Sequence, residues 1–582
     1  MAQQNRSKEV WLIPKRVNLH QTICLIDGII ERNYDKTSWN PNKQNNLGVN
    51  LKKWGATRDG KNISPQAIRT LMASIPQYLG FVYINTNTTP NTICITDVGY
   101  DLWKYHKDNL VKVKNLIDGK DDLINSSNLV LKQMEKLQIT NPIILKDCEN
   151  IFVFPFRLTI KLLLSLGYLD IEELAYFVFK TRDESEFNLT LLEIQNFRNL
   201  PTIERKRIID EFRNTHIGNI TLVKAPSSKY YQSLCELTGI IECFRLEPTN
   251  SNSQLSCIKI KDEFKDYAKH MIENYSNIKT YDFSDNLNLW IDYIGNPSHT
   301  IPPFDVELKN NSTSSIFVTI KKDDEVLDCD ILEKNDSCFV PMFEKDEYVI
   351  DVSNIENGQL IHSEKFVPSY DNNKYIINNF NHDNILSNEE DIEDLYNEIK
   401  KHSQAKNFEG KMHNYLNVLN KLTGINKLED KSLRGAYYEN LFYKVLSILE
   451  KQGKIDNVIW NGKIGKFGLP VSAPGGKTGT SDIIFTIGDT DYVLELTTIK
   501  SKSMQFGAEC SSVPDHIRLY NKTTNHKVIG IFVAPIIHER NTNTMKSVLS
   551  SLDTDVICIT DKEFISVLKS NSIRQTLSEY LK

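Results

Sequence analysis

The chain has 582 residues, 40% of them hydrophobic, 25% charged and 9% aromatic, too long for one core and suited to about three to five domains. Its formal net charge of −6 argues against indiscriminate coating of nucleic acid, yet acidic surface elsewhere can mask a local basic groove. There is no run of membrane-spanning length, no apolar signal core in MAQQNRSKEVWLIPKR, and no CxxC pair or zinc spacing among the ten cysteines. These features predict a cytoplasmic protein with no membrane contact and with reduced, structural thiols.

In chain order, the first patterned stretch is SPQAIRTLMASIPQYLGFVYINTNTTPNTICITDVGYDLWK (64–104). Ser64-Pro65 is a helix start. FVYIN and ICIT read as two short strands around a polar turn, and ITDVGYDL as a strand entering a helix. Helices followed by a two-strand wing suggest a winged helix-turn-helix. The pattern returns loosely. KLLLSLGYLDIEELAYFVFK (161–180) reads as two helices joined at Gly167, followed by a helical run at 189–199. Residues 230–272 read as helix, strand, strand, helix. Such modules bind DNA or other proteins, and no residue among them is singled out as a reader of bases.

Residues 304–370 alternate apolar and polar with Asn, Ser and Asp turns, which predicts a small antiparallel β domain, a sandwich in outline. The Asn-rich stretch 369–384 reads as a linker, and a charged helical pattern covers about 388–424. From Ser432 the order is helix, strand, strand, helix, strand, helix, strand, helix, an α/β domain with a mixed sheet. LRGAYYENLFYKVLSILEKQG ends at Gly453, a C-cap, and HKVIGIFVAP (526–535) suits a strand covered on both faces.

Within that domain, TSDIIFTIGDTDYVLELTTIK (480–500) places Asp482 at the head of one apolar run and Glu495 inside the next. A carboxylate in an apolar strand is costly unless something pairs with it. A hairpin with a four-residue loop, Gly488 to Asp491, pairs Ile487 with Tyr492 and Ile484 with Glu495, and sets Asp482 opposite Thr497. Asp482, Glu495 and Thr497 then share a face, and a shift of two residues preserves that parity. Glu439 lies on or beside the apolar stripe of Phe442, Val445, Leu446 and Leu449 and adds a third inward carboxylate. Converging carboxylates repel unless a hard cation sits between them, and carboxylates with water and phosphate are the usual Mg2+ environment. That chemistry suits phosphodiester hydrolysis, with Lys500 or Gln505 as candidates to orient water.

Asp482, twelve residues, then Glu495-Leu496-Thr497 is similar to the PD…(D/E)xK nuclease motif, with Ser481 in place of Pro and Thr497 in place of Lys. The chain further resembles the type IIS restriction endonucleases of the AlwI family, which includes strand-nicking enzymes. The resemblance is carried by SIPQYLGFVYI, ITDVGYDL and IGNPSHTIPPFDVE, and by Asp482, ELTT (495–498), Lys500, Gln505-Phe506, Glu509 and His516. It implies Glu-x-Thr-Thr at the site, so the Thr497 departure is expected within the family. It also implies Mg2+-dependent cutting of double-stranded DNA outside a short asymmetric site, with a transient dimer or second subunit for double-strand cleavage. The β-rich segment departs from the helical linker the resemblance implies.

The expected architecture is therefore a multidomain α+β chain. Residues 1–300 form winged-helix-like recognition modules, 301–370 a small β-rich domain, 371–428 a linker with a helix, and 429–582 an α/β PD-(D/E)xK-type nuclease domain. Glu439, Asp482, Glu495, Thr497, Lys500 and Gln505 are the expected catalytic set. The first three are metal ligands, and Glu509 and His516 are additional site positions. Two other functions fit the same residues: a DNA-binding regulator with an inert nuclease-like domain, and a partner-dependent transposition or repair nuclease.

Overall fold

A computed structural model describes residues 10–14, 18–57, 60–107, 110, 127–144, 148, 150–215, 225–246, 255–283, 286–378, 391–474, 479–551 and 554–581. The chain divides into two compact units, Met1–Phe304 and Asp305–Lys582.

The first unit contains two modules of the same topology. In one, helix Leu19–Glu31, strand Thr37–Ser38 and helices Pro41–Lys53, Pro65–Met72 and Ile75–Tyr78 precede the hairpin Val82–Asn85/Thr92–Ile95. In the other, helix Pro155–Leu166, strand Leu169–Asp170 and helices Ile171–Tyr176, Phe187–Asn199, Thr202–Thr215 and Ala225–Glu236 precede the hairpin Ile241–Arg245/Ser256–Ile260. In both, the two-residue strand pairs antiparallel with the second hairpin strand, which becomes the middle of a three-stranded sheet. The local chemistry is ordinary capping. The Ser64 side chain accepts from the Ala67 N–H with Pro65 at the first helical position, and Asp170 and Glu173 form a capping box. Gly167, at φ 83°, ends its helix and is followed by a strand, so 161–180 is helix, strand, helix rather than two joined helices.

The three N-terminal motifs that carry the family resemblance meet at one packing knot. Gly80, at φ 72°, lies so close to Ile294 that an added Cβ would stand 2.7 Å from its side chain, and one on Gly295 would stand 2.7 Å from Thr96. The Thr96 hydroxyl donates to the Gly80 carbonyl at 2.6 Å. The buried Gln133 amide donates to the Leu79 and Ile294 carbonyls, each at 2.7 Å. Backbone crossing this tight requires glycine.

Residues 304–377, all but the first in the second unit, form two sheets. One runs in the order Ser337–Met342, Phe304–Asn310, Lys374–Ile377; the other runs Leu360–Phe366, Tyr348–Ser353, Ile316–Lys322, Glu325–Leu332. The domain is not wholly antiparallel, because Lys374–Ile377 lies parallel to Phe304–Asn310. That strand occupies part of the expected linker, whose remainder from residue 379 lies outside the described residues. The charged helical pattern is two helices, Ile392–Gln404 and Gly410–Thr423; its start at 388–390 also lies outside the described residues. Phe317 and Cys329 of the β-rich segment share a core with Leu416 and Leu419 of the second helix and with Leu433.

The remaining domain is a five-stranded mixed sheet in the order Asn457–Trp460, Ile483–Ile487, Thr490–Leu496, Lys527–Ala534, Asp555–Thr560. The first three strands are antiparallel and the last three parallel. Strand Lys527–Ala534 is buried from Val528 onward, with Ile529, Ile531 and Val533 in one core and Val528, Phe532 and Ala534 in another. Helix Lys431–Lys451 covers the first face through Tyr438, Phe442 and Val445, and helix Lys502–Asn521 covers the second through Val513 and Ile517. The edge strand Asn457–Trp460 was not anticipated. It is short and lacks alternation, although Asn461-Gly462 after it is a turn signal.

Candidate active site

The acids sit where the hairpin meets the two covering helices. Ile483 pairs with Leu494 and Ile487 with Thr490, so the turn is the two residues Gly488-Asp489, not four, and Gly488 has φ 64°. The expected register is therefore corrected by two residues. Asp482 falls opposite Glu495, and the parity survives: Asp482, Glu495 and Thr497 keep one face. The physical reason is that a two-residue loop closes a hairpin without splaying its strands. The Leu496 N–H donates to Asp482 Oδ2 at 2.7 Å, which pins this carboxylate beside the strand end.

Around this pair the structure gathers two more carboxylates and a histidine. Glu495 is 5% exposed, and His516 Nδ1 stands 3.0 Å from its Oε1. Glu439 is also 5% exposed. Its Oε1 accepts from the Ser472 hydroxyl at 2.7 Å, and the Trp460 indole and the Ala473 N–H also favour its ionised form. Glu509 is half-buried and takes a hydrogen bond from the Thr497 side chain.

Burial opposes the ionisation of all four acids, and for Asp482 and Glu495 the neighbouring carboxylates add to it. Burial pushes the Asp482 carboxyl well above the usual carboxylate range, and the charges of Glu495, Glu439 and Glu509 push it further, against the Leu496 N–H. Burial likewise raises Glu495, aided by Glu509 and Glu439. It raises Glu439 against the pull of the Ser472 hydroxyl, and Glu509 against the Thr497 hydroxyl and the nearby His516. Like-charged carboxyls sharing a desolvated space behave in this way when no cation lies between them.

Lys500 and Gln505 are not brought to these acids as water-orienting groups. The exposed Lys500 Nζ donates to the Gln404 carbonyl at 2.8 Å. Gln505 is fully buried, and its amide donates to the Ile499 and Ile536 carbonyls at 3.1 and 3.0 Å and accepts from Asn541 at 3.0 Å. All of its polar groups are engaged in tying the loop after Thr497 to the loop after Ala534. Ser472 and Asn541 escaped the sequence reading, since a lone Ser or Asn carries no spacing signal.

Among the described residues, no three His, Cys, Asp or Glu side chains already stand at metal-ligand spacing. The donor set nevertheless fits Mg2+. The carboxylates supply only oxygen, and Mg2+ ordinarily takes one or two carboxylates with water and substrate phosphate.

Comparison with known proteins adds the family. No curated protein matches the chain. Among solved structures, the small subunit (R.BspD6I2) of the heterodimeric restriction endonuclease R.BspD6I is 17% identical, covering 32% of this chain and 95% of its own, at a TM-score of 0.22. The restriction endonuclease FokI is 10% identical, covering 100% of this chain and 97% of its own, at a TM-score of 0.25. A model of the AlwI restriction endonuclease matches residues 77–293 and 318–565, which include Gly80, Thr96 and Gln133 of the packing knot and all four acids. The chain belongs to the AlwI restriction endonuclease family.

Proposed function

We propose that the protein is a type IIS endonuclease that hydrolyses phosphodiester bonds of duplex DNA, with Mg2+, at a fixed offset from an asymmetric site. Family membership supplies DNA as substrate and site-specific hydrolysis as the reaction. The observation that carries the catalytic assignment is the clustering of Asp482 and Glu495 with Glu439 and Glu509, whose charges oppose the ionisation of the first two, a penalty that a divalent cation would relieve. Asp482 and Glu495 would hold the ion, with Glu439 as a third ligand. Bound there, Mg2+ supplies Lewis acidity towards phosphate and water.

The protein's own groups do the rest. The His516 ring, hydrogen-bonded through Nδ1, fixes the direction of the Glu495 carboxylate. Thr497 does the same for Glu509 by donating its hydroxyl. Glu509, half-buried with a raised pKa, is suited to accept the proton of the attacking water. The two similar N-terminal modules act as winged helices that dock on the duplex, and the C-terminal PD-(D/E)xK-type domain cuts outside the bound site. One acid cluster per chain hydrolyses one strand per docking; cutting the second needs another copy, a second subunit or a second docking.

The test is incubation with supercoiled plasmid in Mg2+ and in EDTA, with run-off sequencing of both strands. Discrete Mg2+-dependent ends at one offset from a shared asymmetric motif are expected, and ends on one strand only identify a nickase. Absence of any ends on diverse DNA would favour an inert, regulatory domain.

A further inference from the structure

Helices Pro41–Lys53 and Pro65–Met72 of the first module approach closely where Gly48 meets the Ile63 carbonyl; an added Cβ there would lie 2.9 Å from that oxygen. Helix Pro65–Met72 buries Ile68, Leu71 and Met72. This turns Gln66, Arg69 and Ala73 outward in one exposed line at i, i+3 and i+7. The Gln66 and Arg69 side chains carry no burial or capping duty, and Ala73 is the C-cap of the helix. Arg69 Nη2 donates to Gln66 Oε1, so the guanidinium is held in place by a neighbour that is itself exposed.

The sequence around this helix is locally basic. From Asn40 to Ala73 the sequence holds six Lys and Arg against one acid, Asp59, within a chain whose net charge is −6. Lys52 is exposed beside this helix pair and its Nζ donates to Asn62 Oδ1 at 3.2 Å just before the helix start, while Lys53 is paired with Glu31 at 3.1 Å. After the helix comes the hairpin whose turn carries Asn87, steadied by a 3.3 Å hydrogen bond to Asn288.

We propose that helix Pro65–Met72 enters the major groove and that Arg69, steadied by Gln66, reads the O6/N7 edge of a guanine in the recognition site. Arginine presents two parallel donors that match those acceptors, and an adjacent glutamine both orients it and can contact a neighbouring base. Lys52 contacts phosphate and positions the helix without reading sequence. The inference rests on the reading of the protein as a site-specific DNA endonuclease.

The test uses the full chain, wild type and three variants, on one plasmid of known sequence with Mg2+ and run-off mapping. Arg69→Ala is expected to cut at sites altered at one G·C pair of the wild-type motif. Discrimination at that pair should fall roughly 10- to 100-fold, with other positions and the cut offset unchanged. Arg69→Lys, which keeps charge but loses the planar fork, should relax the same pair. Lys52→Ala should slow all sites alike. Arg69 variants that retain the full motif, whether at normal or uniformly lowered rate, would overturn the proposal. If Arg69→Ala cuts nothing, the motif cut by Arg69→Lys decides. A wild-type protein that leaves no ends would instead remove the endonuclease reading.

Discussion

At the scale of single residues, burial and neighbouring charge raise the pKa values of Asp482 and Glu495. Their folded pKa values lie above the unfolded ones, so between the two the folded state binds more protons. Metal-free stability from these groups therefore grows as pH falls from neutrality towards the ordinary carboxylate range. Asp482→Asn should melt about 2–6 °C above wild type in EDTA near neutral pH. The gap should close on acidification and shrink when Mg2+ is added, since the ion stabilises the wild-type site. Equal melting at every pH would show that Asp482 carries no charge penalty. The sequence exposed Asp482, Glu495 and Glu439 because each sits on an apolar face where an acid is anomalous. It misplaced Gln505, because a glutamine that spends its amide on backbone carbonyls looks in sequence like one aimed at water.

At the scale of elements, the same hairpin carries a second acid with the opposite behaviour. Asp491 is buried near the far end of strand Thr490–Leu496. It accepts from Thr486, Tyr520 and Thr524 at 2.9–3.0 Å, and His526 Nδ1 lies 2.9 Å away. Burial opposes its ionisation, yet the His526, Thr524, Thr486 and Tyr520 donors together hold it below the usual range. Its stabilisation is thus present above the unfolded carboxylate pKa and is lost as pH falls through the lowered folded value. Asp491→Ala should cost about 3 kcal/mol in urea melts at neutral pH and progressively less in acid, because it strips several donors at once. The rate per folded molecule should stay near wild type. Long patterned elements were legible, such as the apolar strand Lys527–Ala534 and the capped helix Pro65–Met72. The two-residue strands Thr37–Ser38 and Leu169–Asp170 were not, because they are too short to carry a period. Without them the shared topology of the two N-terminal modules stays hidden.

At the scale of the whole molecule, the proposed function assigns binding and cutting to different parts of the chain. A net charge of −6 means that DNA affinity must come from local basic surface. Affinity for cognate duplex should therefore fall steeply with salt, by about tenfold or more between 50 and 200 mM, as counterions are no longer released. Salt-independent binding would contradict docking through phosphates. The measurement that most directly tests the central claim is Glu495→Gln assayed for both activities at once: plasmid cutting with Mg2+, and gel-shift binding to the duplex site mapped with wild type. The account predicts a loss of cutting by about a thousandfold or more, with affinity and motif unchanged, because the charge removed is one proposed to hold the metal and not one proposed to read bases. Cutting at the wild-type rate would show that the buried acids of this sheet are not the active site.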